Sequence, residues 1–323
     1  MKKKAFIGGF KKLYDEEGKA KTFEKLVCEV LRIQEEEMVA EDVKRIFEWG
    51  PDYVLGAKFN IPQVILDDLF KVAKEKGVKT ISWHPDLYCY PTALCMENRL
   101  AISTLKWGCW GADYTFSPDG SEYSRRIFDR VGVNHHLLRQ APYDETVGVG
   151  EDLDLDFPDV VPILFVGGLY QNYDNYRSVL LEVLSKKYGD DKFFWVGKDN
   201  PDQVREEQLS ALFKRTKVVI GDCINHPSYW SNRLYETLGR GGFMIHPYTP
   251  EIENEFVEDE ECVYYDRWNF EQLCSLIDYY VDEANEGKRQ SIIKKGMERV
   301  KNDHTLLNRC KELLEVVNGT RSR

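Results

Sequence analysis

The chain has 323 residues, of which 42% are hydrophobic, 13% aromatic and 31% charged. It is too long for one small module and too apolar for a disordered chain, so a globular protein of two domains is expected. A formal net charge of −11 opposes a general nucleic-acid binder, which grips phosphates through clustered Lys and Arg.

The start, MKKKAFIGGF, has only a short apolar tract running into glycines and reads as a first strand, not a secretory signal. The strongest apolar run, VVPILFV (160–166), is interrupted by a proline and falls far short of the roughly 20 residues that cross a bilayer. A cytoplasmic protein without a transmembrane segment is expected. The eight cysteines contain no C-x-x-C pair and lie mostly in apolar stretches, as buried reduced thiols do. His84, Cys89 and Cys95 match no common zinc spacing, so no metal is expected.

In chain order, short apolar runs alternate with longer amphipathic segments, the pattern of an α/β fold with parallel sheets. The first half predicts strands at Lys3–Ile7, Asp52–Ala57, Val78–Ser82 and Asp113–Ser117, and helices at Thr22–Glu37, Pro62–Lys76 and Gly120–Arg130. The acidic, Gly- and Pro-containing segment around 151–161 breaks the periodicity and reads as a linker between a domain at 1–150 and a second at 162–323. Its DLDLD aspartates, Asp152, Asp154 and Asp156, read as a solvated stretch, not a metal-binding D-x-D. The pattern restarts with strands at Pro162–Gly168, Lys192–Gly197, Lys217–Asp222, Gly242–His246 and Cys262–Asp266. From Asn269 to about Val317 the chain is nearly all helix, with apolar residues at helical spacing. This order suggests two Rossmann-like domains facing across a cleft, with a helical C-terminus and the site between the carboxyl ends of both sheets.

The segment HPSYWSNRLYETLGRGGFMIHPYTPEIENEF (226–256) is the most informative. Ser231 is a good N-cap, Asn232 opens about two helical turns, and Gly241–Gly242 lead into a strand. Unpaired amides and the positive end of the helix dipole suit a phosphate, and Arg233 adds a full charge in the first turn. Glu236, one turn deeper, is placed to accept hydrogen bonds from the vicinal hydroxyls of a ribose. The alternative is that Arg233 and Glu236 simply pair on an exposed helix. Gly167 and Gly168 follow a strand, as a loop close to a diphosphate needs, and Lys198 follows another where it can neutralise phosphate. Tyr229 or Trp230 can pack on a base or sugar, or belong to the core. Gly8 and Gly9 form the matching turn after the first strand. His84 and Asp86, just past the end of a strand, are candidates for proton transfer; a structural His-Pro turn is the competing reading. His135 and His136 look like strand-edge or interdomain residues.

The run NRLYETLGRGGFMIHPYTPEIENEFVEDEECVYYD and the helical sequence after it resemble the C-terminal domain of GT-B glycosyltransferases of the CgeB-like group, relatives of the large glycosyl transferases group 1 class. The resemblance is strong over about 228–314 and extends through VGGLYQNYDNYRSVLLEVL, SWHPDLY and DYTFSPDG. It implies a nucleotide-sugar donor, a UDP-sugar foremost, held by the second domain without a metal, and an acceptor (glycan, lipid or protein) held by the first. Modified DNA is the least favoured acceptor. The ribose-binding carboxylate of such enzymes falls on Glu236. Many relatives carry a second Glu eight positions earlier; here that position is Ser228, as is common in the CgeB-like group. A nucleotide-sugar 2-epimerase of the same fold and a non-catalytic sugar-nucleotide-binding protein are the rival functions. An NAD-linked dehydrogenase is disfavoured because no G-x-G-x-x-G follows the first strand of either domain.

Overall fold

The computed structural model describes residues 3–8, 16–26, 28–33, 38–56, 61–87, 108–169, 175–197 and 204–320. The chain divides into two compact units, one of residues 1–143 with 306–323 and one of residues 144–305. Each is built on a parallel sheet. Among the described residues no helix is long and apolar enough to cross a membrane.

Among the described residues the first unit has six strands, β1 (Lys3–Gly8), β2 (Cys28–Ile33), β3 (Tyr53–Gly56), β4 (Lys79–Trp83), β5 (Tyr114–Ser117) and β6 (His135–Leu137), in the order β2-β1-β3-β4-β5-β6. Alternate residues of a strand point to opposite faces. Val54 therefore packs with α2 (Ala40–Trp49), α3 (Gln63–Lys76) and α4 (Glu122–Val131) on one side of the sheet. Tyr53 and Leu55 pack with α1 (Glu16–Lys25) on the other.

The expected helix over 22–37 is not formed; α1 ends at Lys25 and β2 follows. Phe23, Leu26, Val30 and Ile33 have helical spacing, and a short apolar run does not distinguish helix from strand by period alone. The free edge of β1 decides, pairing Lys3 with Cys28 through Gly8 with Ile33. Helix α2 had no counterpart in the sequence-based elements.

In the second unit, β7 (Val161–Val166), β8 (Phe193–Val196), β9 (Thr216–Ile220), β10 (Met244–Pro247) and β11 (Val263–Tyr265) fall where the apolar runs predict. Their order is β11-β10-β9-β7-β8. Helices α5 (Tyr176–Tyr188), α6 (Glu206–Arg215) and α7 (Asn232–Gly239) connect them, and α8 (Phe270–Val281) and α9 (Glu286–Asp303) close the unit. Strands buried on both faces read as continuous apolar runs, which is why this half was legible.

Two boundaries differ from expectation. The last helix, α10 (Leu306–Val317), was expected with the second domain but packs into the first, burying Leu306, Cys310, Leu313 and Val317 against Phe23 and Tyr53. Its start is fastened by Leu306 N–H to Pro142 O at 2.9 Å. The expected linker at 151–161 lies along the second unit: Lys214 pairs with Asp152 at 3.0 Å, and Leu155 and Phe157 pack against its core. The DLDLD aspartates face solvent.

Candidate functional site

Strand β7 lies between β8 and β9, so the chain leaves β7 for a neighbour on one side and later returns to pair on the other. The loops after β7 and β9 diverge at this reversal, and ligands of open α/β sheets bind at the carboxyl ends of such strands. Gly167 and Gly168 form the loop after β7, and residues 221–231 lead from β9 into α7. Gly167 adopts φ +152° and Gly197 φ +93°. Trp195 Nε1 donates to Gly167 O at 2.7 Å, and a Cβ on Gly197 would meet the Gly167 carbonyl carbon at 3.0 Å. Only glycine at 197 lets the two loops approach this closely.

At the end of β9, Asp222 is 1% exposed and joins both loops. Arg177, in the first turn of α5, donates from Nε to Asp222 Oδ2 at 2.5 Å and from Nη1 to Gly168 O at 2.7 Å. Arg233, in the first turn of α7, pairs through Nη1 with Asp222 Oδ1. Both guanidinium groups lie over the Phe165 ring, at 5.8 and 5.1 Å. Burial alone raises the Asp222 carboxyl, but Arg233 and Arg177 outweigh it and hold the group below its usual value. Ser231 occupies the N-cap, yet its hydroxyl donates to Asp222 O at 3.2 Å and does not cap α7. The first amides of that helix therefore lack the side-chain acceptor an N-cap serine commonly supplies.

Glu236 lies one turn further along α7, with Oε2 receiving Arg240 Nε at 2.7 Å and Oε1 facing Asn232 Nδ2 at 3.5 Å. Arg240 is itself 4% exposed and anchored on Ser210 Oγ at 2.7 Å and Glu206 O at 3.0 Å. Arg233 and Glu236 thus have separate partners, so the simple i,i+3 pair considered from sequence is not what the fold makes. Asn232 Oδ1 is buried without a hydrogen-bond partner.

Residues 176–315 match a family described as glycosyl transferase-like. That part of the chain is a glycosyl transferase-like domain. Across the two units the fold is that of GT-B glycosyltransferases. A glycosyltransferase from Rickettsia africae ESF-5 matches with TM-score 0.67 and 12% identity over 98% of both chains. Anabaena Alr3699/HepE, solved with UDP-glucose, matches with TM-score 0.59 and 8% identity over 99% of this chain and all of the other. Sucrose-phosphate synthase of Thermosynechococcus elongatus matches with TM-score 0.61 and 12% identity over 99% of this chain and 100% of that one. No curated protein matches in sequence.

The structure places Gly167, Gly168, Ser231, Asn232 and Arg233 at the ends of β7 and β9, with Glu236 one turn along α7. Lys198 and Gly9 lie outside the described residues. Tyr229 and Trp230 are core residues, 4% and 1% exposed, with Trp230 Nε1 donating to Tyr235 OH at 2.8 Å. Ser228 is buried with φ +57°.

Asp222, Arg177, Arg240 and His246 were not singled out from sequence. The available signal was position, since Asp222 ends an apolar strand run and Arg177 opens the helix after the glycine loop. His246, wholly buried on β10, is held near pKa 4, by burial above all. Its Nδ1 lies 2.8 Å from Pro247 O and its Nε2 has no partner.

The remaining candidates belong to the first unit. Gly8 ends β1. His84 follows β4 and is buried, its Nδ1 2.8 Å from Asp86 O and 3.1 Å from Asp86 N, so the ring closes a tight turn, while Asp86 is exposed. His135 lies on the edge strand β6, stacked on Phe128 at 3.9 Å, with Nε2 2.8 Å from Ser117 Oγ. Burial, and then His136, hold it near pKa 3. His136 stacks on Phe116 at 5.4 Å.

Proposed function

We propose that the protein moves a sugar from a nucleotide-sugar donor, a UDP-sugar foremost, to an acceptor hydroxyl without a metal. The observation that carries this reading is the Arg233 guanidinium, held by Asp222 over Gly167 at the reversal of strand order. A diphosphate resting on the Gly167–Gly168 loop meets Arg233 and the first amides of α7. As the bond to the anomeric carbon breaks, negative charge grows on the leaving phosphate, and these fixed donors stabilise that growth with little reorganisation. An arginine and a helix N-terminus supply there the positive charge that a divalent ion supplies elsewhere.

Glu236 receives the donor ribose on Oε1, since Oε2 is committed to Arg240. Lys198, Gly8 and Gly9 are assigned to the same donor, Lys198 on its phosphate. His84 or Asp86 takes the proton of the acceptor hydroxyl. Complexes with UDP and UDP-glucose of Anabaena HepE, which shares the fold, support the choice of base.

Calorimetric titration with UDP tests the donor site. Hydrogen bonds to a charged group contribute roughly 1.5–3 kcal/mol, so Glu236→Ala is expected to weaken UDP binding about 10- to 100-fold. Glu236→Gln, which retains an acceptor for Arg240, separates that loss from a folding defect. Unchanged affinity in both variants removes Glu236 from the site. Incubation with UDP-glucose alone, followed by product analysis, distinguishes hydrolysis from the epimer that an epimerase would give.

A further inference from the structure

Two guanidinium groups of like charge are buried side by side at the ends of β7 and β9. The Arg177 side chain is 10% exposed and that of Arg233 18%, and both lie over Phe165. Without an anion between them they would repel each other in a poorly solvated place. Asp222 supplies that anion and commits one oxygen to each arginine, Oδ2 to Arg177 and Oδ1 to Arg233. Its backbone carbonyl also receives Ser231 Oγ, so one residue ties together the loop after β7, the end of β9 and the start of α7.

The two arginines are not equivalent. Arg177 is held a second time, by Gly168 O, whereas Arg233 is held through Nη1 and extends Nη2 over Gly167, 2.7 Å from where a Cβ would stand. Asp222 itself, 1% exposed, has no surface to offer a ligand. We propose that Asp222 is the positioning residue of the anion site, fixing the Arg233 fork so that its remaining N–H groups point to the phosphates of the donor. The proposal rests on the donor-site reading above and adds a residue to it. Replacing Asp222 by Asn keeps the shape but turns one acceptor into a donor facing a guanidinium, and the arginine with the single anchor, Arg233, is the one released.

The test compares UDP with uridine as probes, by calorimetry and ligand-observed NMR, for wild type, Asp222→Asn, Asp222→Glu and Arg233→Lys. Charge-assisted hydrogen bonds to phosphate predict that Asp222→Asn lowers UDP affinity about 10- to 100-fold while uridine affinity stays within about two-fold. Asp222→Glu is expected to recover part of the UDP preference. Arg233→Lys keeps the charge without the fork and is expected to lose affinity in the same direction. It keeps the question open to refutation if Asp222→Asn does not fold, because an unchanged UDP-to-uridine ratio in Arg233→Lys overturns the proposal. A folded Asp222→Asn with the wild-type ratio also overturns it, and leaves the donor site standing. Wild-type protein that binds neither UDP nor inorganic pyrophosphate overturns both.

Discussion

Replacing Gly167 by alanine perturbs the site by one methyl group. The residue has φ +152°, where an L side chain is strained by roughly 1–3 kcal/mol. The new Cβ would also lie 2.7 Å from Arg233 Nη2 and 3.3 Å from its Cζ, so the guanidinium has to swing away. That movement breaks one of the two pairs on a buried carboxylate, for a further cost of about 2 kcal/mol. Gly148 separates the two contributions, because it has φ +145° in the same unit with nothing within 4 Å of an added Cβ. Gly148→Ala therefore carries the backbone strain alone. In a unit of this size each kcal/mol shifts the melting temperature by roughly 2–4 °C, so Gly167→Ala is expected to melt about 4–8 °C below Gly148→Ala. UDP affinity is expected to fall about ten-fold or more in Gly167→Ala and to stay at the wild-type value in Gly148→Ala. The assays are a melting curve without ligand and a calorimetric titration with UDP. Equal melting temperatures and equal affinities for the two alanine variants would refute the assignment of Gly167 as the seat of the Arg233 guanidinium.

Stability is expected to depend on pH through two neutral histidines. Burial holds His246 near pKa 4 and His135 near pKa 3, against an ordinary value of 6.5. Between pH 6.5 and about 4 the unfolded chain binds protons that the native chain refuses, so stability is greatest above pH 6.5 and falls as pH drops toward 4. For His246 the full loss is about 3 kcal/mol. Urea unfolding at pH 7 and pH 5 captures about 2 kcal/mol of that loss, and a flat profile, or one unaltered by His246→Asn, contradicts the burial argument. Truncation after Thr305 removes the four apolar side chains that α10 buries in the first unit. At roughly 1.5–3 kcal/mol each they amount to about 6–12 kcal/mol, comparable to the whole stability of a domain. Limited proteolysis is expected to digest the first unit of the truncated protein and spare residues 144–305. A single melting transition at the wild-type temperature would show that α10 is dispensable.

Sequence alone determined the α/β class, the strands β7 to β11 of the second unit and the placement of Ser231, Arg233 and Glu236 at the start of a helix. Those features are local: a strand buried on both faces is an apolar run, and a helix start is marked by its own residues. Tertiary structure decided everything that depends on a partner distant in the chain. The edge of β1 made a strand of Cys28–Ile33, and an apolar face on the first unit drew in α10 across the expected domain boundary. The charges of the site were sorted in the same way. Arg233 went to Asp222, 11 residues away, Arg177 reached that carboxylate across 45 residues, and Glu236 was left to Arg240. Periodicity reports which face a residue occupies, but an ion pair forms where two loops meet, and the order of strands in the sheet sets which loops those are.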